Sequence, residues 1–450
     1  MKIQFPCEGV PEVPAAARLV GLYPQRQAGL WMQRVKVLGG ALTAVQWRLL
    51  GRIARELTPT APLHLTTRQD VELHDIPSDR VGPVQRRLAD GGLTGLGACG
   101  DTLRNLTVCP CAGALDGTVD LIPLAWAVRR TLEAIEGIFS LPRKLKISLS
   151  CGDACGQPWI NDLGLVARPA GAQWVFSVTA GGSLGVRPGL AIRLLDSLPA
   201  DDVPTLAAAA ASVFAAEGDR ENRHRARLRH VRERIGDEPF RERLLGALED
   251  AKKSRTWPAV ELRPVADGHA ARALLTFPNG DISPGAAEAL ADLAERQTIV
   301  VRIGNHHRVA LFGETEEALR QAAGGQEALA PAAVPQPTVV ACPGSRWCSR
   351  ALVDTNALAD RIRRELGGSI PPTATVCISG CPNGCAHSRV ADVGLTGALT
   401  KRDGAKAEAF DLFAGGGMGR DDRLAEPIAR RLVPDEAIDR IREQLDARSA

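Results

Sequence analysis

The sequence predicts an α+β protein built from α/β layers, in which one architecture is written twice along the chain. Two observations lead to this prediction. Strand-like runs such as 63–73 and 298–311 alternate with helical patterns such as 42–57, which favours layers of helix and sheet. The segment around Cys151 also matches the segment around Cys381 without a gap. An internal repeat of this kind determines the fold.

The repeat extends well beyond the two cysteine segments. Four aligned pairs hold identical residues in this register: Cys151 with Cys381, Cys155 with Cys385, Asp162 with Asp392, and Gly164 with Gly394. The match continues downstream to the glycine-rich segments 180–185 and 414–419, and upstream to 39–40 and 279–280. A duplicated unit of more than 200 residues, each a small α/β module followed by a larger one, accounts for the chain length.

Composition excludes several classes of protein. The chain has 450 residues, 45% hydrophobic and 24% charged, with a formal net charge of +3. This charge is too small to imply nucleic-acid binding. No apolar run is long enough for a membrane span, and the N-terminus lacks the apolar stretch of a secretory signal. We therefore expect a cytoplasmic protein of several domains that binds neither nucleic acid nor membrane.

The cysteines indicate metal chemistry. Eleven cysteines in a large cytoplasmic chain suggest metal or redox roles rather than a disulfide framework. In the second copy they fall as Cys342-x5-Cys348 and, after a gap of 32 residues, Cys381-x3-Cys385. Zinc sites usually use closer Cys-x2-Cys pairs, whereas these wider pairs beside glycine and proline leave room for an iron–sulfur cubane. Cys377 lies on the incoming strand and is interpreted as a core residue.

These motifs resemble those of a known family. The pattern Ala-Cys342-Pro-Gly-Ser-Arg-Trp-Cys348, then Ile-Ser-Gly-Cys381-Pro-Asn-Gly-Cys385 and Asp392-Val-Gly-Leu, is similar to the signature of the siroheme and [4Fe–4S] sulfite and nitrite reductases. The resemblance covers most of the chain. It implies that Cys342, Cys348, Cys381 and Cys385 hold a [4Fe–4S] cluster, and that Cys385 also bridges to siroheme iron.

The resemblance also implies a division into domains with pseudo-twofold symmetry. Two ferredoxin-like half-domains pair with each other, and two larger α/β domains hold siroheme and cluster. The expected bounds are 1–75 and 254–330 for the half-domains, 76–253 for the domain with the anion site, and 331–450 for the domain with the cluster.

An anionic substrate on a macrocycle with eight carboxylates requires many cations. Lys144 and Lys146 are expected on one face of a strand, where a solvated strand edge is the simpler interpretation. The family pattern favours the anion site instead, and implies that the substrate is surrounded by Arg34, Arg104, Lys144 and Lys146. It places Arg68, Gln69, His74, Asn105 and Arg143 at cofactor-contacting positions.

Lys146 favours sulfite as the substrate. Nitrite reductases of this family typically carry asparagine at the place of this second lysine. Sulfite can bear two negative charges and nitrite bears one, so a fourth cation stabilises sulfite more. The expected reaction is the six-electron reduction of sulfite to sulfide. No flavin or nicotinamide motif is present, so the electrons are expected from a partner protein, either ferredoxin or a reductase subunit.

Other functions stay open at this point. Within the family they are nitrite reduction to ammonia and a precorrin-3B synthase-like oxygenation. The full set of anion ligands argues against the second of these. A non-catalytic electron-transfer or tetrapyrrole-binding subunit is the alternative from another class.

Three features depart from the family pattern. Glu72 stands where relatives often have glutamine, and His306 and His307 replace the usual asparagine-rich strand. The first copy keeps Cys109, Cys111, Cys151 and Cys155 where the second copy has its cluster ligands. These are interpreted either as buried relics of the duplication or as ligands of a second cluster.

Overall fold

The computed structural model describes residues 15–152, 156–171, 173–254, 260–265, 268–402 and 404–449. Cys155 lies outside the described residues, as does part of the predicted linker between the copies, 255–258. The fold is built from thirteen described helices and eighteen described strands, whose bounds follow.

The elements of the first copy fall into two modules. The small module contains α1 (Ala15–Leu19), β1 (Leu22–Pro24), β2 (Leu30–Val35), α2 (Ala44–Leu57), β3 (Leu63–Leu65), β4 (Val71–Pro77) and α3 (Val81–Asp90). The larger module contains β5 (Thr107–Val108), α4 (Ile122–Glu133), β6 (Ile147–Ser150), β7 (Leu163–Ala170), β8 (Gln173–Ala180), β9 (Ile192–Pro199), α5 (Val203–Glu217), α6 (Leu228–Ile235) and α7 (Asp237–Ser254).

The second copy repeats this order. Its small module contains β10 (Ala271–Thr276), β11 (Asp281–Ile282), α8 (Pro284–Ala294), β12 (Val300–Ile303), β13 (Arg308–Gly313), α9 (Glu316–Gly324) and α10 (Ala330–Ala333). The larger module contains β14 (Thr338–Ala341), α11 (Gly344–Trp347), α12 (Thr355–Leu366), β15 (Thr375–Ser379), β16 (Val393–Arg402), β17 (Ala405–Ala414), β18 (Glu426–Leu432) and α13 (Pro434–Ser449).

The two larger modules contain the same five-stranded sheet. Their strand orders are β5-β6-β7-β8-β9 and β14-β15-β16-β17-β18. In each sheet the first three strands are parallel to one another, and each of the last two is antiparallel to the strand before it. Every residue of β6 and β15 is buried, because a parallel strand at the centre of a sheet is covered on both faces. The predicted duplication is therefore present in the topology.

The small modules interlock. Strand β11 of the second copy pairs with β3 of the first, with Ile282 opposite Leu63, and completes the sheet β1-β2-β4-β3-β11. Helix α2 packs against α8, and a Cβ on Gly51 of α2 would lie only 2.9 Å from the carbonyl oxygen of Pro284. Because that separation is too short for a side chain, the close contact between the helices requires glycine at this position.

Matching turns follow the repeat. Gly39 and Gly40 have φ of 58° and 70°, and their counterparts Asn279 and Gly280 have φ of 57° and 80°. Asparagine is one of the few other residues that tolerates this left-handed conformation. The sequence match between 39–40 and 279–280 thus corresponds to a shared backbone conformation.

Two predicted strands were wrong in the same way. The run 63–73 is two antiparallel strands, β3 and β4, with Gln69 at φ 62° in the turn between them. The run 298–311 contains β12 and β13, separated by a turn in which His306 and His307 have φ of 64° and 58°. The first of these turns contains no glycine or proline, whereas the second begins with Gly304-Asn305, a turn signal that the strand prediction overlooked.

The helices of the described residues include none that is both long and apolar enough to cross a membrane. The small modules share one sheet across the copies. The domain bounds 1–75, 76–253, 254–330 and 331–450 stay a prediction.

Candidate cluster and anion site

Four of the five cysteines of the second copy meet at one edge of its sheet. Cys342 follows β14, Cys348 ends α11, and the loop with Cys381 and Cys385 follows β15. Since β14 and β15 are parallel neighbours, their carboxyl ends lie side by side. Cys385 interacts electrostatically with the other three thiols. The structure thus brings together the four predicted cluster ligands.

The chemistry of these thiols fits an iron–sulfur cluster. Cys342 Sγ accepts the backbone N–H of Gly380 at 3.1 Å. Burial, with a contribution from Cys385, raises the pKa of Cys342 to about 12, and burial also raises the pKa of Cys348 and Cys381. Thiols in such surroundings ionise only with a strong positive partner, which iron supplies.

A single metal ion fits less well than a cluster. Among the described residues, no three His, Cys, Asp or Glu side chains converge closely enough to hold one ion. A cubane does not need that convergence, because each thiolate binds a separate iron. Cys377 is fully buried on β15 with Val340 and Met418, in agreement with its interpretation as a core residue.

Cations gather beside the cluster ligands. Lys144 interacts electrostatically with Cys385, Arg104 and Arg227, and Lys146 interacts with Lys144, Arg68 and Arg104. We call Arg68, Arg104, Lys144 and Lys146 the cationic pocket. Both lysines precede β6, and Leu145 between them is buried and bridges to Leu103, so the expected alternation of the lysines with an inward-pointing leucine is present.

The lysines of the cationic pocket are strongly perturbed. Burial, with Arg227 and Arg104 nearby, lowers the pKa of Lys144 to about 7. Burial and the neighbouring cations lower the pKa of Lys146 well below its ordinary value. Within the described residues, neither ammonium group has a carboxylate at ion-pair distance. An anion is therefore the group that would best relieve this excess of positive charge.

Arg34 differs from the cationic pocket because it has a carboxylate partner. Its Nε donates a hydrogen bond to Glu72 Oε1 at 2.7 Å, and its Nη2 donates to the same oxygen at 2.5 Å. Both Arg34 and Arg104 also donate to the carbonyl oxygen of Ala98. The two arginines thus converge, and of the two only Arg34 has a carboxylate at ion-pair distance among the described residues.

The predicted cofactor-contacting residues are held by the protein in different ways. Arg68 donates to the carbonyl oxygens of Asn105 and Ile147 at 3.0 and 3.2 Å and to Asn161 Oδ1 at 3.1 Å. Burial lowers the pKa of Arg68 to about 9. Asn105 is fully buried and its Oδ1 has no hydrogen-bond partner. Such an orphaned acceptor beside a cationic pocket fits a bound polar group.

Gln69, His74 and Arg143 have internal partners. Gln69 donates from Nε2 to the carbonyl oxygens of Val108 and Ile303 at 2.8 and 2.9 Å, so both amide N–H groups are used. This arrangement favours a structural role over the implied cofactor contact. Arg143 forms an ion pair with Asp101 at 3.2 Å, and His74 is described with Glu72 below.

Several residues of the site were missed by the sequence analysis. Arg227 and Asp162 form a buried ion pair of 2.8 Å, and Asp162 Oδ2 also accepts the backbone N–H of Lys146 at 2.7 Å. Asp70 lies near Arg34, Arg68 and Arg104, and its burial raises its pKa to about 6. The identity of Asp162 and Asp392 in the repeat was the available signal for the first pair.

A histidine on the cluster loop joins the two copies. His387 Nδ1 lies 3.3 Å from Gln157 Nε2 of the first copy, and the ring interacts electrostatically with Lys146 and His306. His306 Nε2 is buried without a hydrogen-bond partner. The role of His306, at this departure from the family pattern, stays open.

The first-copy cysteines also lie close together. Cys109 Sγ is 3.0 Å from Cys151 Sγ, and Arg272 Nη1 donates to Cys111 Sγ at 3.4 Å. Burial and the nearby Cys111 raise the pKa of Cys151 to about 12. Cys155 lies outside the described residues. Both interpretations of this group, relic and second cluster, stay predictions.

Comparisons with known proteins identify the family. The family profile described as the nitrite and sulphite reductase 4Fe-4S domain matches residues 99–252 and 337–447. The profile of the nitrite/sulfite reductase ferredoxin-like half domain matches residues 23–91. These matches include both larger modules and the small module of the first copy.

Individual relatives carry both substrate names. The assimilatory ferredoxin-dependent nitrite reductase of Haloferax mediterranei is 29% identical over 92% of this chain and 79% of its own. The sulfite reductase [ferredoxin] 2 of Mycolicibacterium paratuberculosis is 28% identical over 93% of this chain and 82% of its own. The structure of the Mycobacterium tuberculosis NirA protein superposes with a TM-score of 0.80 at 26% identity, covering 94% of this chain and 85% of that one.

Proposed function

Because this chain belongs to the nitrite and sulphite reductase 4Fe–4S family, we propose that it is a sulfite reductase, which reduces sulfite to sulfide with six electrons from a partner protein. Family membership confirms the predicted duplicated α+β fold, the oxidoreductase class, and siroheme and [4Fe–4S] as cofactors. The choice of sulfite, the residue roles and the electron donor are the proposal.

The observation that carries the proposal is the buried pair Lys144 and Lys146 beside Cys385. Both lysines lie among other cations, and the described residues offer them no carboxylate at ion-pair distance. A dianion gains about twice as much from each cation as a monoanion does. The cationic pocket therefore favours sulfite in its doubly charged form.

Residues of both copies would hold the cofactors. Cys342, Cys348, Cys381 and Cys385 would hold the cluster, and Cys385 would also be the link to siroheme. When bound, these groups supply an electron store and an iron that accepts the substrate. We assign Arg68, Asn105 and Arg143 to the carboxylates of the macrocycle, and His74 is a less direct candidate because its ring nitrogens face Gln25 and Glu72.

The cationic pocket has two chemical tasks. Arg104 and the lysines neutralise the oxyanion, which lowers the cost of adding electrons to a molecule that is already negative. Lys144, with its pKa lowered to about 7, can also donate a proton near neutral pH to a departing oxygen. Arg68 keeps its guanidinium oriented through three neutral acceptors, so its charge remains available to an anion.

Nitrite is the second candidate, because Glu72 neutralises Arg34. With one cation fewer near the substrate, the site favours a dianion over a monoanion less strongly. Relatives of both names align over most of the chain.

We further propose that the electron donor is ferredoxin or a similar protein. Relatives from Haloferax mediterranei and Zea mays are named as ferredoxin-dependent nitrite reductases. The cytoplasmic location stays a prediction from the sequence.

The experiment is an absorption and product analysis of anaerobically purified protein. We expect a siroheme Soret band that sulfite alters, and sulfide as the product with a reduced donor. A cluster spectrum without siroheme would contradict the proposal and favour the precorrin-3B synthase-like alternative. Iron analysis of the same sample separates about four irons beyond siroheme, for one cluster, from about eight, for a second cluster at the first-copy cysteines.

A further inference from the structure

We propose that Glu72 is a positioning residue that sets the substrate preference of this site, because it holds the Arg34 guanidinium in an ion pair and so withdraws one positive charge from the bound anion. The inference rests on the proposed function and adds a determinant of anion selectivity. It follows from the cross-strand geometry of β2 and β4.

The pair of Arg34 and Glu72 is built into the sheet. The two residues are direct partners in the antiparallel register of β2 and β4. Side chains at paired positions of neighbouring strands point to the same face and lie within contact distance. The short hydrogen bonds from Nε and Nη2 of Arg34 to one oxygen of Glu72 are therefore fixed by the fold.

The second carboxylate oxygen is anchored as well. Glu72 Oε2 lies 3.1 Å from His74 Nε2, and His74 Nδ1 lies 3.2 Å from Gln25 Oε1. The His74 ring stacks on Trp347 with centroids 3.8 Å apart and an interplanar angle of 10°. With both oxygens held, Glu72 cannot swing away from Arg34 without breaking these contacts.

Glu72 stays ionised, so the neutralisation is permanent. Burial would raise the pKa of Glu72, but Arg34 and His74 hold it well below its usual range. The side chain of Glu72 is only 4% exposed, so solvent screens the pair weakly. By contrast, the described residues leave Lys144 and Lys146 without a carboxylate at ion-pair distance. Arg34 therefore contributes less to anion binding than its position in the sequence suggests.

The consequence differs between the two anions. The gain in binding free energy from one restored cation is about twice as large for a dianion as for a monoanion. The factor by which sulfite affinity increases is therefore about the square of the factor for nitrite. Glu72→Gln keeps the size of the side chain and an acceptor for Arg34 but removes the charge. We expect this variant to bind sulfite about tenfold more tightly and nitrite about threefold more tightly, in a buffer alkaline enough for sulfite to be a dianion.

The test measures dissociation constants for both anions from the change in the Soret band of the cofactor-loaded protein. The matched control is Asp281→Asn, since Asp281 pairs with His64 and Arg346 and does not touch Arg34. This control should leave the ratio of the two affinities at the wild-type value. A purely structural role of Glu72 would change both affinities by one factor and leave the ratio unchanged.

A second variant protects the test against misfolding of the first. Arg34→Met/Glu72→Gln removes the whole pair, and because the pair is already neutral, sulfite affinity should stay within about threefold of wild type. Unchanged affinities in Glu72→Gln, or a loss of about tenfold or more in the double variant, would overturn the inference. A wild-type spectrum that responds to neither anion would instead contradict the proposed function itself.

Discussion

Thr67 donates a hydrogen bond from its hydroxyl to the carbonyl oxygen of Cys385 at 2.8 Å. This contact joins the turn between β3 and β4 in the first copy to the loop that carries a predicted ligand in the second. It places Cys385 next to Arg68, whose side chain belongs to the cationic pocket. The pairing of the two copies is thus what assembles the site.

Thr67→Val should loosen this loop. Loss of the single hydrogen bond is expected to lower the free energy of unfolding by about 1 kcal/mol and to speed the loss of iron to a chelator. Thr315→Val is the matched control, because its hydroxyl caps α9 away from the site and costs about the same. Chelator kinetics on both variants check the prediction, and equal iron loss from the two would contradict it.

The cysteines of the cluster loop should differ in their effects. Cys385→Ser is expected to abolish the cluster absorption and all reductase activity, since a ligand of both metal groups is lost. Cys377→Ser should keep the cluster and lower only the stability, by about 1–3 kcal/mol, because it places a hydroxyl in an apolar core. Absorption spectra and urea unfolding separate the two results. A cluster retained in the Cys385 variant would mean that the ligands are assigned wrongly.

The pH dependence should follow Lys144. Its lowered pKa of about 7 means that the free protein loses this ammonium as the pH rises through that value, so kcat/KM should fall above it. Nitrite is the suitable substrate for this profile, because its charge is constant over the range. Lys144→Arg stays cationic and should move the decline to higher pH. An identical decline in the variant would assign the titration to another group.

The same lowered pKa affects stability with a definite sign. Between about 7 and the ordinary lysine value, the unfolded chain binds more protons at Lys144 than the folded chain does. The free energy of unfolding of cofactor-free protein therefore rises with pH across this window. Lys144→Met should show a smaller rise over the same range in urea titrations, and a rise equal to that of wild type would contradict the assignment.

The sequence predicted those parts of the structure that repeat. Aligned pairs such as Gly40 with Gly280 and Asp162 with Asp392 led to two sheets of equal topology, because residues required by backbone geometry persist in both copies. The paired spacing of Cys342, Cys348, Cys381 and Cys385 likewise predicted that these four act together. These features depend on local spacing and could be found without the structure.

The pairings across strands could not be predicted. Arg34 and Glu72 meet because β2 and β4 are antiparallel in one register, and a turn without glycine or proline at Gln69 hid where β4 begins. Likewise, nothing in the sequence predicted that Arg227, just before α6, would reach the buried Asp162. Such contacts depend on long-range packing, and they change how many of the predicted cations are free to bind an anion.

The assignment of sulfite as the substrate through Lys146 is tested by the ratio of kcat/KM for sulfite to that for nitrite, measured in wild type and in Lys146→Asn. We expect a ratio above one for wild type and a decrease of about tenfold or more in the variant, since the variant lacks the amine that a bound anion would keep protonated, and a dianion loses more than a monoanion. A wild-type protein that prefers nitrite, or a ratio that the substitution leaves unchanged, would contradict it.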